Sequence, residues 1–154
     1  MTYRASMDTP PILYSVTYRG ILYSLNEMLS DSRGTGRPGP TKFDAVKRRA
    51  MAMLSRTMRL RGLCASELPL PPGLYATVLI GIPRLSRDVD NLAAGALKVG
   101  LDTFVRQGIL SNDTPKYIQG VAAYVVKRPK DRTFIAITPD RPLTPIEVRE
   151  AAGF

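Results

Sequence analysis

The sequence predicts an α/β (α+β) fold, a single domain in which a mixed sheet of about four strands packs against helices. Three observations lead to this prediction. The length of 154 residues suits one domain with one hydrophobic core. Runs rich in β-branched and aromatic residues are typical of strands. They alternate with segments whose apolar residues recur at helical spacing, so the expected order over residues 1–154 is β-α-β-α-β-β-α.

Each predicted element rests on a local pattern. Strands are expected at Ile12–Tyr18, Leu74–Ile82, Ile118–Val126 and Thr133–Thr138. Helices are expected at Thr41–Leu60 and Asn91–Gln107, with a short helix from Pro145 to Ala152 within the tail 144–154. Thr144 and Glu147 form a capping-box pattern at the start of that last helix. Residues Pro129–Arg132 favour a hairpin-like turn between the last two strands.

The composition indicates a polyanionic partner. The chain has 22 Lys and Arg against 13 Asp and Glu, a net charge of +9, which points to DNA, RNA or an anionic surface.

The chain contains no histidine, which excludes Ser-His-Asp and Cys-His catalysis and His-ligated zinc. The single cysteine, Cys64, fits a reducing cytosol and is expected to pack inertly near a helix end. No apolar run is long enough to span a membrane, so a cytoplasmic location is expected.

Two basic segments are candidates for contact with this partner. In the predicted helix Thr41–Leu60, arginines occupy the side opposite the apolar residues, and these are Arg48, Arg49, Arg56 and Arg59. No acid occurs from Ala45 through Ala65, so Arg49, Arg56 and Arg59 have no i,i+4 acidic partner in this helix. The pattern favours an anion-facing surface over a merely solvated face.

Residues 30–41 are rich in Gly and Pro and carry Arg33 and Arg37. We expect a mobile loop there, either a flap over a phosphate backbone or simple disorder.

Carboxylates mark both ends of the predicted helix Asn91–Gln107. Asp88 and Asp90 lie at the strand-to-helix junction, and Asp113 follows the helix end. Residues two apart in extended geometry point the same way, and adjacent carboxylates repel unless a cation lies between them. The expected cation is Mg²⁺, with Mn²⁺ as the alternative. A second interpretation remains open, because Asp90 or Asn91 is also suited to cap the helix.

These residues resemble a known signature, which reads here Arg87-Asp88-Val89-Asp90-Asn91-Leu92, Lys98, Asp102, Gly108-Ile109-Leu110 and Asn112-Asp113. Over roughly Leu74 to Val126 the chain is similar to the RusA-type Holliday junction resolvases, small dimeric crossover junction endodeoxyribonucleases of bacteria and phages. There are two departures. The lysine of that family lies one helical turn earlier, at the position of Ala94, as if one turn had been inserted after Leu92. The first Asp of the closing pair is Asn112 in this chain.

The resemblance implies a Mg²⁺-dependent endodeoxyribonuclease. It implies Asp88, Asp90 and Asp113 as metal-binding carboxylates, Lys98 as an active-site lysine and Arg87 as a phosphate contact. It further implies a homodimer that nicks paired strands of a four-way DNA junction, in recombination or repair, in the cytoplasm of a bacterium or phage-infected host. Two alternatives remain open, namely a non-catalytic basic nucleic-acid-binding protein whose aspartates cap the helix, and a nuclease acting on other branched DNA.

Overall fold

The computed structural model describes residues 8–22, 42–85 and 88–154, and for residues 42–44 it describes the backbone alone. The predicted loop at residues 30–41, with Arg33 and Arg37, lies outside the described residues, and so does Arg87. Within the described ranges, no helix is long and apolar enough to cross a membrane.

The predicted fold class is confirmed, and every predicted strand and helix is present. The elements are β1 Tyr14–Tyr18, α1 Lys42–Arg61, β2 Leu63–Cys64, β3 Leu74–Ile82, α2 Val89–Arg106, β4 Ile118–Lys127, β5 Arg132–Pro139 and α3 Pro145–Ala152. The sequence did not predict β2, because two residues are too few to display a period. This strand exists through its partner, since Leu63 pairs with Ser15 and Cys64 with Tyr14 of β1.

The strands form one mixed five-stranded sheet in the order β2-β1-β5-β3-β4. β3 pairs in parallel with β4 and antiparallel with β5, so β4 and β5 lie on opposite sides of β3. The predicted hairpin-like turn at Pro129–Arg132 is therefore wrong. The chain instead passes the end of β3, where the backbone N–H of Arg128 donates to the carbonyl of Ile82 at 2.8 Å. Gly81 leaves space for this crossing, because a Cβ there would lie 2.8 Å from Arg128 Cγ.

Helices cover both faces of the sheet. The larger core cluster joins α1 and α2 to one face of β3, through Ala76, Val78 and Ile80. The smaller cluster joins the other face, through Leu79, to Val148 of α3. β3 is thus buried on both faces, which explains its continuous apolar run. α2 lies close to the sheet, because a Cβ at Gly100 would be 2.7 Å from Ile135 Cδ1.

Strand directions give the sheet two distinct ends. β1 and β3 are both antiparallel to β5, and β4 is parallel to β3. β1, β3 and β4 therefore finish at one end, called the C-terminal end of the sheet, and begin at the other, called the N-terminal end. α2 starts just beyond the C-terminal end of β3 and returns the chain to the N-terminal end, where Ile118 of β4 pairs with Leu74.

The predicted capping box of α3 is confirmed. Thr144 accepts a hydrogen bond from the backbone N–H of Glu147 at 3.3 Å, and the Glu147 carboxylate accepts one from the N–H of Thr144 at 3.4 Å. Arg141 donates two more bonds to this carboxylate, at 2.9 and 3.2 Å. Burial alone would raise the pKa of Glu147, but the hydrogen bonds from Arg141 and Thr144 outweigh it and lower the pKa below its ordinary value. The ionised Glu147 carboxylate therefore stabilises the folded protein. This stabilisation is fully present above the pKa that Glu147 has in the unfolded chain, and it is lost as the pH falls through the lower pKa of Glu147 in the folded protein.

Replacing Thr77 with Val tests a buried polar link between β3 and the segment before α3. The fully buried Thr77 hydroxyl accepts from the N–H of Leu143 at 2.9 Å. Thr77→Val leaves that donor unpaired, so we expect it to lower the free energy of unfolding by about 1–3 kcal/mol. Urea denaturation measures the loss.

Thr103→Val is the matched control. Thr103 is equally buried, and its hydroxyl donates to the carbonyl of Val99 at 2.6 Å. That carbonyl also accepts the helical N–H four residues on, so the same chemical change leaves no backbone group unpaired. Equal losses in the two variants would contradict the role assigned to the Thr77 bond.

Candidate functional site

Asp88 and Asp90 lie within the first turn of α2, at the C-terminal end of the sheet. Asp88 is the N-cap residue, with extended backbone angles, and Asp90 follows inside the first turn. Both side chains are exposed. The only hydrogen bond between described residues that reaches the Asp88 carboxylate comes from Asn91 Nδ2 to Oδ2, at 3.3 Å. The partial positive charge at a helix N-terminus stabilises both carboxylates.

The backbone at the start of α2 shows that neither Asp90 nor Asn91 caps this helix. The cap position belongs to Asp88, so Asp90 and Asn91 are helical residues and not caps. The Asp88 side chain makes no capping hydrogen bond, although its carbonyl accepts the N–H of Leu92 at 3.2 Å. The helix therefore begins here without using either carboxylate to satisfy its free N–H groups, and both remain available to a ligand.

Asp113 lies at the opposite end of the sheet. The 18 residues of α2 span about 27 Å at 1.5 Å per residue, and Asp113 follows the end of that helix. It sits in the loop before β4, where its N–H donates to Asn112 Oδ1 at 2.8 Å. In residues 8–22, 42–85 and 88–154, no three Asp, Glu, Cys or His side chains form a group that can hold a metal ion. In one copy of the chain, Asp88 and Asp90 are close in sequence at the start of α2, and Asp113 lies far from both. Because Asp90 is helical and not extended, the side chains of Asp88 and Asp90 do not have the extended geometry that the sequence predicted.

Lys98 is exposed on α2. It lies eight residues after Asp90, or about 12 Å along the helix axis, with the half-buried Ala94 between them. Lys98 does not pair with Asp102 one turn later, because Asp102 forms an ion pair with Lys47 of α1. The Lys98 ammonium therefore has no ion-pair partner among the described residues.

The predicted arginines of α1 are all exposed. Three of them line clefts on the two flanks of the helix. The first, called the α2 cleft, has a volume of about 300 Å³ and contains Arg48, Arg59 and Ser55 of α1 with Arg106 of α2. The second, called the β1 cleft, has a volume of about 210 Å³ and contains Arg56, Thr57 and Arg61 of α1 with Thr17 and Arg19.

Sequence reasoning missed Arg19, Arg61 and Arg106. Arg61 is the last residue of α1, Arg19 directly follows β1 and Arg106 ends α2. For Arg19 and Arg106, only the packing of α1 against β1 and α2 brings them beside the predicted arginines. The sequence feature that could have identified Arg61 is the absence of acidic residues near it, a feature that it shares with Arg59.

Cys64 departs from its expected role. It is exposed in β2 and not packed, and its Sγ donates to the carbonyl of Ser66 at 2.9 Å. The neighbouring Tyr14 is buried, and burial, with a smaller contribution from Cys64, raises its pKa to about 12. Tyr14 is therefore a structural residue and not a base at neutral pH.

No protein-family model matches the chain, and no curated protein matches it. The chemistry of the site consequently rests on its own residues. Exposed carboxylate oxygens are the donors that Mg²⁺ prefers. One copy of the chain offers two such side chains at the C-terminal end of the sheet, in a protein of net charge +9.

Replacing Asp88 with Ala tests whether this carboxylate caps α2. Because it makes no cap hydrogen bond, we expect Asp88→Ala to change the free energy of unfolding by less than about 0.5 kcal/mol at about 0.5 M salt, where attraction to the helix dipole is screened. Thr144→Ala removes a cap bond that α3 does use and should cost about 1 kcal/mol. Urea midpoints compare the two, and a loss in Asp88→Ala as large as that in Thr144→Ala would restore the capping interpretation.

Proposed function

We propose that this chain is a Mg²⁺-dependent, structure-selective DNA endonuclease that resolves four-way junctions as a homodimer. The observation that carries the proposal is the pair Asp88 and Asp90, which are exposed at the start of α2 and whose carboxylates make no cap hydrogen bond. Asp88 and Asp90 would hold the Mg²⁺ ion, which would supply an activated water and stabilise the leaving oxyanion of phosphodiester hydrolysis. The high positive charge draws DNA to a site that is itself acidic.

A dimer supplies what one copy lacks. Asp113 lies beyond the far end of α2, so in a two-fold dimer with antiparallel α2 helices it approaches Asp88 and Asp90 of the other copy. α2 has a side suited to such a contact. Asp102 points to α1, where it binds Lys47, and at 100° per residue Ala93 and Leu97 lie about 180° and 140° away from it. Both are half-buried in one copy, so a second copy would bury them further.

The remaining predicted residues have supporting roles in this proposal. Arg87 directly precedes Asp88 and would bind a phosphate beside the scissile bond. Lys98 would stabilise negative charge on the attacked phosphate, since its side chain leans toward the N-terminus of α2. The arginines of α1 would hold the duplex arms through their phosphates.

Cleavage of a labelled four-way junction tests the activity. We expect paired, symmetric nicks with Mg²⁺ and no cleavage in EDTA or of a linear duplex of the same sequence. Asp90→Asn removes one carboxylate charge with little change in shape. Because loss of a group that only supports a metal ligand already costs about 10- to 100-fold, we expect cleavage to fall by about 100-fold or more, while junction binding in EDTA persists. Unimpaired cleavage by Asp90→Asn would rule out the proposed site.

A mixed-dimer experiment tests whether the site is shared. Co-expressed Asp90→Asn and Asp113→Asn chains form about half mixed dimers if assembly is random, and each mixed dimer contains one intact site with carboxylates from both copies. Each variant should be inactive alone. We therefore expect the mixture of the two variants to regain the nicking of one strand per junction, since each mixed dimer has one intact site.

Co-expressed Asp88→Asn and Asp90→Asn chains are the control for this experiment. Both substitutions lie on the same half of the proposed site, so their mixed dimer has no intact site and should stay inactive. If neither mixture restores nicking, the two copies do not share a site.

A second candidate function has its own support. One copy contains no group of three metal ligands among its described residues, and two clefts beside α1 are rich in arginine. Both features suit a nucleic-acid-binding protein without catalysis. Tight junction binding with no cleavage in Mg²⁺ or Mn²⁺ would favour this function.

A further inference from the structure

α1 separates two clefts of similar chemistry. Each cleft is lined by three arginines and at least one hydroxyl group, and the described residues that line them include no carboxylate. The arginines come from α1 and from its neighbours on both flanks. A guanidinium group donates several hydrogen bonds in one plane and matches the geometry of phosphate oxygens.

The β1 cleft holds its charges without internal compensation. Arg19, Arg56 and Arg61 form no ion pair with any described residue, although all three line one space of about 210 Å³. Gathering three like charges in one cleft is unfavourable unless an anion lies among them. Thr17 and Thr57 add hydroxyl groups to the wall, which complements a phosphate better than an apolar ligand.

The α2 cleft lies on the other flank of α1 and also contains three arginines. Arg48 and Arg59 face Arg106, the last residue of α2, across a space of about 300 Å³ that also contains the hydroxyl of Ser55. The two clefts are separated by α1 itself, whose width with side chains is about 10–12 Å. A small anion would occupy one cleft only, whereas a polymer with repeating phosphates reaches both.

We propose that the β1 cleft and the α2 cleft each bind phosphodiester groups of a nucleic-acid backbone, so that α1 lies between two bound stretches of backbone. The inference rests on the proposed function only in taking a nucleic acid as the partner, and it does not require cleavage. A flat lipid surface suits the geometry less well, because the arginines line recesses between elements and not a continuous plane.

The experiment measures junction affinity in EDTA, where no cleavage occurs, by fluorescence anisotropy across a series of salt concentrations. Arg61→Gln removes one charge from the β1 cleft and Arg106→Gln removes one from the α2 cleft. We expect each variant to weaken binding several-fold and to reduce the slope of log K against log salt by about 0.9, the contribution of one phosphate contact on duplex DNA.

Arg149→Gln is the matched control. Arg61, Arg106 and Arg149 are all exposed arginines in the last turn of a helix, so the three substitutions change net charge and helix-dipole interaction alike. Arg149 belongs to α3, on the opposite face of the sheet. Its substitution should leave the slope nearly unchanged. Equal slopes in all three variants would overturn the proposal, because long-range charge would then explain the binding.

Two further probes separate the possible sources of phosphate. Inorganic phosphate, added at constant ionic strength, should not displace the junction, and displacement at millimolar concentration would mean that the clefts are small-anion sites. Vesicles containing anionic phospholipid should bind wild type, Arg61→Gln and Arg106→Gln equally. Loss of vesicle binding in these two variants, with junction affinity intact, would overturn the proposal in favour of a membrane surface.

Discussion

The parallel pairing of β3 with β4 controls where every candidate catalytic side chain lies. Two parallel neighbours need a crossover, because the chain must return to the starting end of the sheet before the second strand can begin. α2 is that crossover. It carries the chain from Asp88 at the C-terminal end of the sheet to the loop of Asp113 at the N-terminal end. The separation of the carboxylates is thus a direct result of the topology.

The same crossover positions the positive charges. α2 packs beside α1 on one face of the sheet, where Lys47 and Asp102 link the two helices. One side of α1 is buried against the core, and four of its five arginines line the clefts on its flanks. The acidic turn at Asp88 therefore lies on the same side of the sheet as the arginine-lined clefts, and α3 covers the other side. We therefore expect a bound polyanion on the side of the sheet that carries the clefts.

Burial of β3 explains why the rest of the chain tolerates unpaired charge. The strand pairs on both edges and packs on both faces, so most of the stabilisation comes from apolar area removed from water. Exposed charges such as Lys98, Asp90 and Arg61 contribute little to the fold, since surface charges contribute small energies even when paired. Their placement is consequently free to serve binding.

The sequence by itself determined the helices and the main strands, because each rests on a local period, a cap or a stop. The capping box at Thr144, the helical spacing of apolar residues in α1 and the runs of β-branched and aromatic residues in the strands are local signals, and each predicted the observed element. The sequence also identified Asp88 and Asp90 as neighbours, because they are two residues apart.

Tertiary structure alone decided the remaining features of the fold and of the candidate site. The two-residue strand β2 forms only against β1, and the passage of the chain past Gly81 in place of a hairpin depends on β5 pairing with β3. The clefts join arginines from distant segments, and the position of Asp113 follows from strand direction. These features arise from long-range pairing and packing, which no short stretch of sequence encodes.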